Sequence, residues 1–302
     1  MEKLIRAQTE VRAEQLGALD GEQRTALIEL LIQDFFVTLR RTLAKWSTLT
    51  GQSAQIDTGY IAQHMASVTL GVPGQGFKGK GLDLVDESEV KSAALLGGVD
   101  RPRWNHDLGT PESDLDRTRR GLDPKWKNYL DSPHVFYVLF DPVHTEKRDP
   151  HGRELRVRAW CVDAQADEAW RGLILRFVEG RGSNQYNLQL HPPVAYDDDI
   201  AVNTLGNLDM ADAKVFEARF FVPDDPLQPL EGIEWVKPLP DRVTPVEGRT
   251  KAMPYKRGVH PSRLEGAAEA GEPLSLSDLF PGLGLGGELM SSDPTSPIED
   301  TD

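Results

Sequence analysis

Residues 79–93 read Gly79-Lys80-Gly81-Leu82-Asp83-Leu84-Val85-Asp86-Glu87-Ser88-Glu89-Val90-Lys91-Ser92-Ala93, and the fold turns on how they are read. Side chains alternate along a strand, so a strand from Glu89 puts Glu89 and Lys91 on one face and Val90 on the other. Asp86, Glu87 and Ser88 suit a turn. A hairpin through them brings Asp83, six residues before Glu89, beside it. Asp83, Glu89 and the Val90 carbonyl then make a set of hard oxygens suited to Mg²⁺. Lys91 beside such an ion is placed to orient a water, or help deprotonate it, for in-line attack on a phosphodiester. The same residues on a plain surface hairpin would be solvated charges, and Asp86 remains an alternative first ligand.

The glycines of this segment invite two nucleotide-binding readings. Gly74, Gly76 and Gly79 fit G-x-G-x-x-G, but a helix precedes them and a strand follows, the reverse of the dinucleotide fold. Gly74, Gly79 and Lys80 approach a P-loop, yet Gly81 stands where Ser or Thr must hold magnesium. An NTPase is therefore a third-rank alternative.

Outward from this segment, the chain is helical before it and strand-rich after it. A weak amphipathic helix covers 2–17. Asp20 is an N-cap for a long helix with Leu27, Leu30, Leu31, Leu39, Leu43 and Trp46, ending near Gly51. A further helix starts at Asp57 or Thr58, buries Ile61, Met65 and Val68, and stops at Gly71. Strand-like runs are predicted at 82–85, 89–94, 135–140, 155–162, 173–178 and 186–190, with a helical 164–170 between two of them. Residues 143–152 read as an exposed turn. This order predicts an α/β (α+β) domain with a mixed central sheet flanked by helices. The expected divisions are a helical N-terminal region at 1–54, a main domain at 55–257 and a disordered acidic tail at 258–302. Within the tail, Leu274 to Leu285 is one apolar island able to dock on a partner, though a flexible tail with no function of its own is the reading preferred here.

The 302 residues carry 34 basic and 48 acidic side chains, a formal charge of -14. Nine carboxylates against Arg263 alone give the segment from Gly258 to Asp302 -8, leaving -6 for the rest, so a local basic surface is compatible with the whole. A mean hydropathy of -0.44 and no long apolar run exclude a membrane span. No secretory signal is visible, and the single cysteine, Cys161, is compatible with a reducing cytoplasm. Cys161 reads as an inert buried thiol. No G-x-S-x-G elbow supports a serine triad.

The run from Gly79 to Asp86, then Ser88 to Ala93, then Asp100-Arg101-Pro102-Arg103-Trp104-Asn105-His106, resembles the type II restriction endonucleases of the PD-(D/E)xK superfamily, and among them the MamI type. The resemblance covers about residues 55–220. It implies a restriction-endonuclease-like fold, Asp83 and Glu89 as metal ligands with the Val90 carbonyl, and Lys91 as the catalytic lysine. The proline of the motif is replaced by Leu82. It also implies Mg²⁺-dependent cleavage of both DNA strands by a homodimer at a short palindrome with interrupted GAT/ATC half-sites. A companion methyltransferase would protect the host. Related nucleases place an amide or acid near the metal from the preceding helix, where Gln63 and His64 stand here; His64 is equally a core-edge histidine.

The candidate DNA contacts are Lys78 and Lys80, then Arg101, Arg103, Trp104, Asn105 and His106, a mixture of cations, an indole and hydrogen-bonding groups. Asn105 and His106 alternatively brace the active site. Ser183, Asn184, Gln185, Tyr186 and Asn187 present amides able to read adenine edges, though such turns are usually only turns. His191 reads as a strand-end cap, and Asp197 to Asp199 as a solvated acidic turn. The alternatives are a strand-nicking repair endonuclease on the same core and a non-catalytic DNA-binding protein with a degenerate motif.

Overall fold

The computed structural model describes residues 2–52, 56–75, 82–96, 102–143, 154–192, 213–222, 230, 232–241, 243 and 274–281. Helix α1 (Glu2–Ala18) leads to α2 (Gly21–Leu31), whose N-terminus is closed by a capping box. Asp20 Oδ1 accepts from the Gln23 N–H at 2.8 Å and Gln23 Oε1 accepts from the Asp20 N–H at 3.1 Å. The long helix anticipated from Asp20 to Gly51 is not uniformly α. Residues Ile32–Thr38 wind as a π segment before α3 (Leu39–Thr50) resumes. That segment turns Phe36 and Val37 into the core and leaves Phe35 half exposed.

A five-stranded sheet runs in the order β1-β3-β4-β6-β7, from β1 (Glu89–Ala94), β3 (His134–Pro142), β4 (Glu154–Asp163), β6 (Lys214–Phe221) and β7 (Ile233–Lys237). Strand β1 is parallel to β3 and the remaining pairs are antiparallel, so the sheet is mixed and β1 is an edge. A separate antiparallel ribbon joins β2 (Trp104–Asp107) to β5 (Asn187–Leu190).

Alternation along β3 and β4 divides the core in two. Phe136, Val138, Phe140, Val157 and Ala159 face α2, the π segment and α4 (Thr58–Leu70), where Phe36 stacks on Phe140 with centroids 5.0 Å apart. Helix α2 and the π segment therefore share the core of the sheet. Val135, Tyr137, Leu139, Trp160 and Val162 face the ribbon, α6 (Lys125–Asp131) and α7 (Glu168–Gly180). A short α5 (Pro111–Arg119), capped by Thr110, joins ribbon to α6.

Several sequence expectations change. Residues 173–178 lie inside α7 and not in a strand. Leu173, Ile174, Phe177 and Val178 carry β-prone side chains, but their spacing covers one helical face against Trp170, and Asp167 caps the helix by accepting from the Trp170 N–H at 2.8 Å. The helix starts at Glu168 rather than Ala164, because Asp163 closes a turn on Gln165 and Ala166. The strand expected at 82–85 shrinks to a single bridge between Leu84 and Gly74. Residues 144–152 and 197–199 lie outside the described residues.

Of the tail from 258 onward, 274–281 are described and include α8 (Leu276–Leu279). Leu276 and Phe280 pack on Leu16, Leu19, Leu27 and Val68, and Gln15 Nε2 donates to the Leu274 carbonyl at 2.9 Å. The described part of the apolar island thus packs on helices of the same chain. No described helix is long and apolar enough to cross a membrane.

Candidate active site

Helix α4 is bounded by Asp57, whose carboxylate accepts from the Gly59 N–H at 2.9 Å, and by Gly71 at φ +68. A side chain at Gly71 would be strained by that φ and would stand 3.3 Å from the Leu16 carbonyl oxygen. These stops fix the helix against β1, with Thr58 Oγ1 3.3 Å from Ser92 Oγ, and direct Gln63 to the sheet edge.

The turn that follows is held by its own side chains. The N–H groups of Asp83 and Leu84 both donate to the Ser88 carbonyl at 3.1 Å. Asp86 uses both oxygens on Ser88, one on the N–H and one on the hydroxyl, each at 2.9 Å. Glu87 takes φ 74, a left-handed conformation strained for a residue with a Cβ, and its carbonyl accepts from Ser132 Oγ at 2.6 Å. Asp83 by contrast points at the strand. Its Oδ2 accepts from the Val90 N–H at 2.7 Å and its Oδ1 from Gln63 Nε2 at 2.7 Å.

Strand β1 carries Glu89 and Lys91 on one face, in register with Val135 and Tyr137, while Val90 enters the helical side of the core. Lys91 Nζ lies 2.6 Å from Glu89 Oε1 and 5.7 Å from the centre of the Tyr129 ring. Peptide N–H and C=O of one strand residue point to the same side, so the Val90 carbonyl shares the free edge of β1 with Asp83.

Burial dominates the electrostatics. It raises the Asp83 carboxyl, against the pull of the Val90 N–H, Lys91 and Gln63. It lifts Glu89 to about 7, opposed by Lys91 and reinforced by Asp83. Burial also disfavours the Lys91 ammonium, but Glu89, Tyr129 and Asp83 outweigh it and hold Lys91 charged, above its ordinary value. Two desolvated carboxylates against one ammonium leave an excess of negative charge that a divalent cation would neutralise. Among the described residues no three His, Cys, Asp or Glu side chains gather into a metal cluster. The donor set that fits a cation here is Asp83, Glu89 and the Val90 carbonyl.

Around Lys91 lies an aromatic wall that the sequence did not reveal. Tyr129 comes from α6 and Tyr137 from β3, and Tyr137 O–H donates to His106 Nε2 at 2.8 Å while His106 Nδ1–H donates to the Leu188 carbonyl at 3.2 Å. Burial, with Lys91 adding to it, drives His106 down to about 3, so it is neutral. His64, beside Gln63 in sequence, turns from the carboxylates to stack on Phe35 at 6.4 Å. Burial lowers its pKa as well.

The candidate DNA contacts separate by burial. Trp104 and His106 are fully buried; the Trp104 indole donates to the Val138 carbonyl at 3.1 Å, so both are core residues with no surface to offer a duplex. Alternation along β2 accounts for this, since Arg103 and Asn105 are exposed on its other side. Asn105 Oδ1 accepts from Asn187 Nδ2 at 3.4 Å, and Gln189, which no motif marked, is exposed opposite Asn105. Ser183, Asn184, Gln185 and Tyr186 form an exposed turn before β5, in which Gln185 Oε1 accepts from the Gly182 N–H at 3.2 Å. His191 packs at the strand end, with a ring nitrogen donating to the Pro102 carbonyl at 3.3 Å. Lys78, Lys80 and Arg101 lie outside the described residues. Burial raises the pKa of the Cys161 thiol, which keeps it protonated.

A model of the MamI restriction endonuclease family matches residues 45–220. Over 277 residues, 90% of this chain and 87% of the relative, the sequence is 51% identical to the type II restriction enzyme MamI of Microbacterium ammoniaphilum. No solved structure matches the chain.

Proposed function

Because the chain belongs to the MamI restriction endonuclease family, we propose that it is a type II site-specific deoxyribonuclease that hydrolyses phosphodiesters in both strands of duplex DNA with Mg²⁺. The observation that carries this reading is the convergence of Asp83, Glu89 and Lys91 at the free edge of β1, with both carboxylates desolvated. Asp83, Glu89 and the Val90 carbonyl would hold the cation, which supplies Lewis-acid stabilisation of the charge that develops on phosphorus oxygens.

The chain's own residues do the rest. Gln63 and the Val90 N–H fix the Asp83 carboxylate. Lys91 remains an ammonium, so it acts by donating hydrogen bonds, orienting a water and neutralising the attacked phosphate, more than by accepting a proton. Water adds to phosphorus, losing a proton to solvent, as the strand's P–O bond breaks and its leaving oxygen takes a proton from solvent, and Tyr129 keeps the ammonium in place.

A homodimer on a two-fold symmetric site gives one such centre per strand. The short palindrome with interrupted GAT/ATC half-sites and the protecting methyltransferase follow from the family resemblance. Arg103, Asn105 and the 183–186 turn supply exposed groups for DNA contact.

The test is incubation of unmethylated phage DNA with the purified protein, in Mg²⁺ or EDTA, beside Lys91→Ala. Discrete Mg²⁺-dependent fragments absent in the variant are expected, and their sequenced ends give the site. Cleavage of one strand only would point to a nicking enzyme, and binding without cleavage to a degenerate motif.

A further inference from the structure

Helix α3 differs from every other described helix in its charge. It buries no residue, and its twelve residues contain Arg40, Arg41 and Lys45 with no carboxylate, a net charge of +3 in a chain of -14. Each other described helix nets between -1 and +1. Arg41 and Lys45 stand one turn apart on one side. Arg40 lies along the root, its guanidinium 5.6 Å over the Phe36 ring.

None of the three cations has an ion pair among the described residues, and Arg41 Nε and Nη2 are shielded from water without any hydrogen-bond partner. An unpaired, partly desolvated guanidinium is costly, and an anion would satisfy it. The helix follows directly on the π segment. Phe35, four residues before Leu39, stacks on His64, and the neighbouring Gln63 holds Asp83. From there α3 extends for about 18 Å, roughly five base-pair steps.

We propose that α3 is a DNA-backbone-binding helix, with Arg41 and Lys45 contacting phosphates of the duplex whose scissile bond lies at Asp83 and Glu89. The assignment rests on the nuclease reading above. Leu39, Trp46 and Leu49 are also exposed on α3, the last two at 60% and 76%, and a second copy is the other occupant such a stripe suggests. Charge decides for DNA, because two α3 helices brought together would oppose +3 with +3.

The experiment measures binding of the full-length protein to a fluorescent mixed-sequence duplex of about 30 bp, in EDTA, across a salt series. Wild type is compared with Arg41→Gln/Lys45→Gln and with Trp46→Ser/Leu49→Ser, folding being checked by circular dichroism and oligomeric state by sedimentation. Loss of two phosphate contacts lowers the slope of log K against log salt by about 1.8 and weakens binding about tenfold near 0.15 M salt. The charge variant is expected to show both, with its oligomeric state unchanged. An unchanged slope in that variant overturns the proposal, as does a charge variant that loses affinity only because it dissociates. If Trp46→Ser/Leu49→Ser dissociates a dimer while the charge variant keeps its slope, α3 is a protein interface. A wild type that neither binds nor cuts duplex DNA would instead sink the nuclease reading itself.

Discussion

Lys91 and Glu89 form an ion pair of 2.6 Å on one face of β1, while the carboxylate of Asp83 is engaged by the N–H of the residue between them. One strand and one turn therefore assemble the whole cluster. Lys91→Ala is expected to lower DNA cleavage by about 10²–10⁴-fold. Binding to a duplex in EDTA should stay within a few-fold of wild type, as measured by fluorescence anisotropy. Retained cleavage would remove Lys91 from the reaction.

The Tyr129 ring holds the Lys91 ammonium at 5.7 Å, a contact of about 0.5–2 kcal/mol. Tyr129→Leu should therefore reduce kcat by about 3–30-fold, and Tyr129→Phe, which keeps the ring, should restore most of it. Equal losses in the two variants would assign the effect to the hydroxyl.

Glu89, raised to about 7 by burial, gives the metal-free protein a distinct pH dependence. Between its ordinary value near 4.5 and about 7 the folded state holds a proton that the unfolded state releases. Stability from this group is complete below 4.5 and is lost as pH rises through 7. The loss amounts to about 3 kcal/mol at most. Thermal melts in EDTA should fall over this window, Mg²⁺ should restore stability most at high pH, and Glu89→Gln should flatten the slope. A melt that rises with pH equally in both proteins would contradict the assignment.

Asp141 is fully buried and carries Arg156 and Arg158, with nitrogens at 2.8 and 2.9 Å from Oδ2. Burial raises its pKa against the pull of both guanidiniums. Asp141→Ala would remove the buried carboxylate that both guanidiniums share, at a cost of about 3–5 kcal/mol. Urea denaturation checks this, and a loss below about 1 kcal/mol would mean the arginines find other partners.

Trp104 donates to the Val138 carbonyl and packs 5.6 Å from Trp160. Trp104→Phe should lower the melting temperature and leave the salt dependence of DNA binding unaltered. A changed salt slope with an unchanged melt would return Trp104 to the DNA surface.

The sequence by itself determined what is local. The Asp20 and Asp57 caps, the Gly71 stop, the strand-like runs of β3 and β4 and the Asp83, Glu89, Lys91 spacing all lie within one element or one turn. Only tertiary structure decided the rest. Spacing favours Asp83 over Asp86 without separating their contacts, and in the fold one closes the turn on Ser88 while the other meets Val90 and Gln63. Trp104, His106 and Arg103 stand together in the sequence as candidate DNA contacts, and pairing of β2 with β5 sends Trp104 and His106 inward and leaves Arg103 exposed. Tyr129 reaches Lys91 only after β1 pairs with β3 across about forty intervening residues. Propensity and spacing act over a few residues, whereas burial belongs to contacts between distant ones, and burial raised the Asp83 and Glu89 carboxyls of this site.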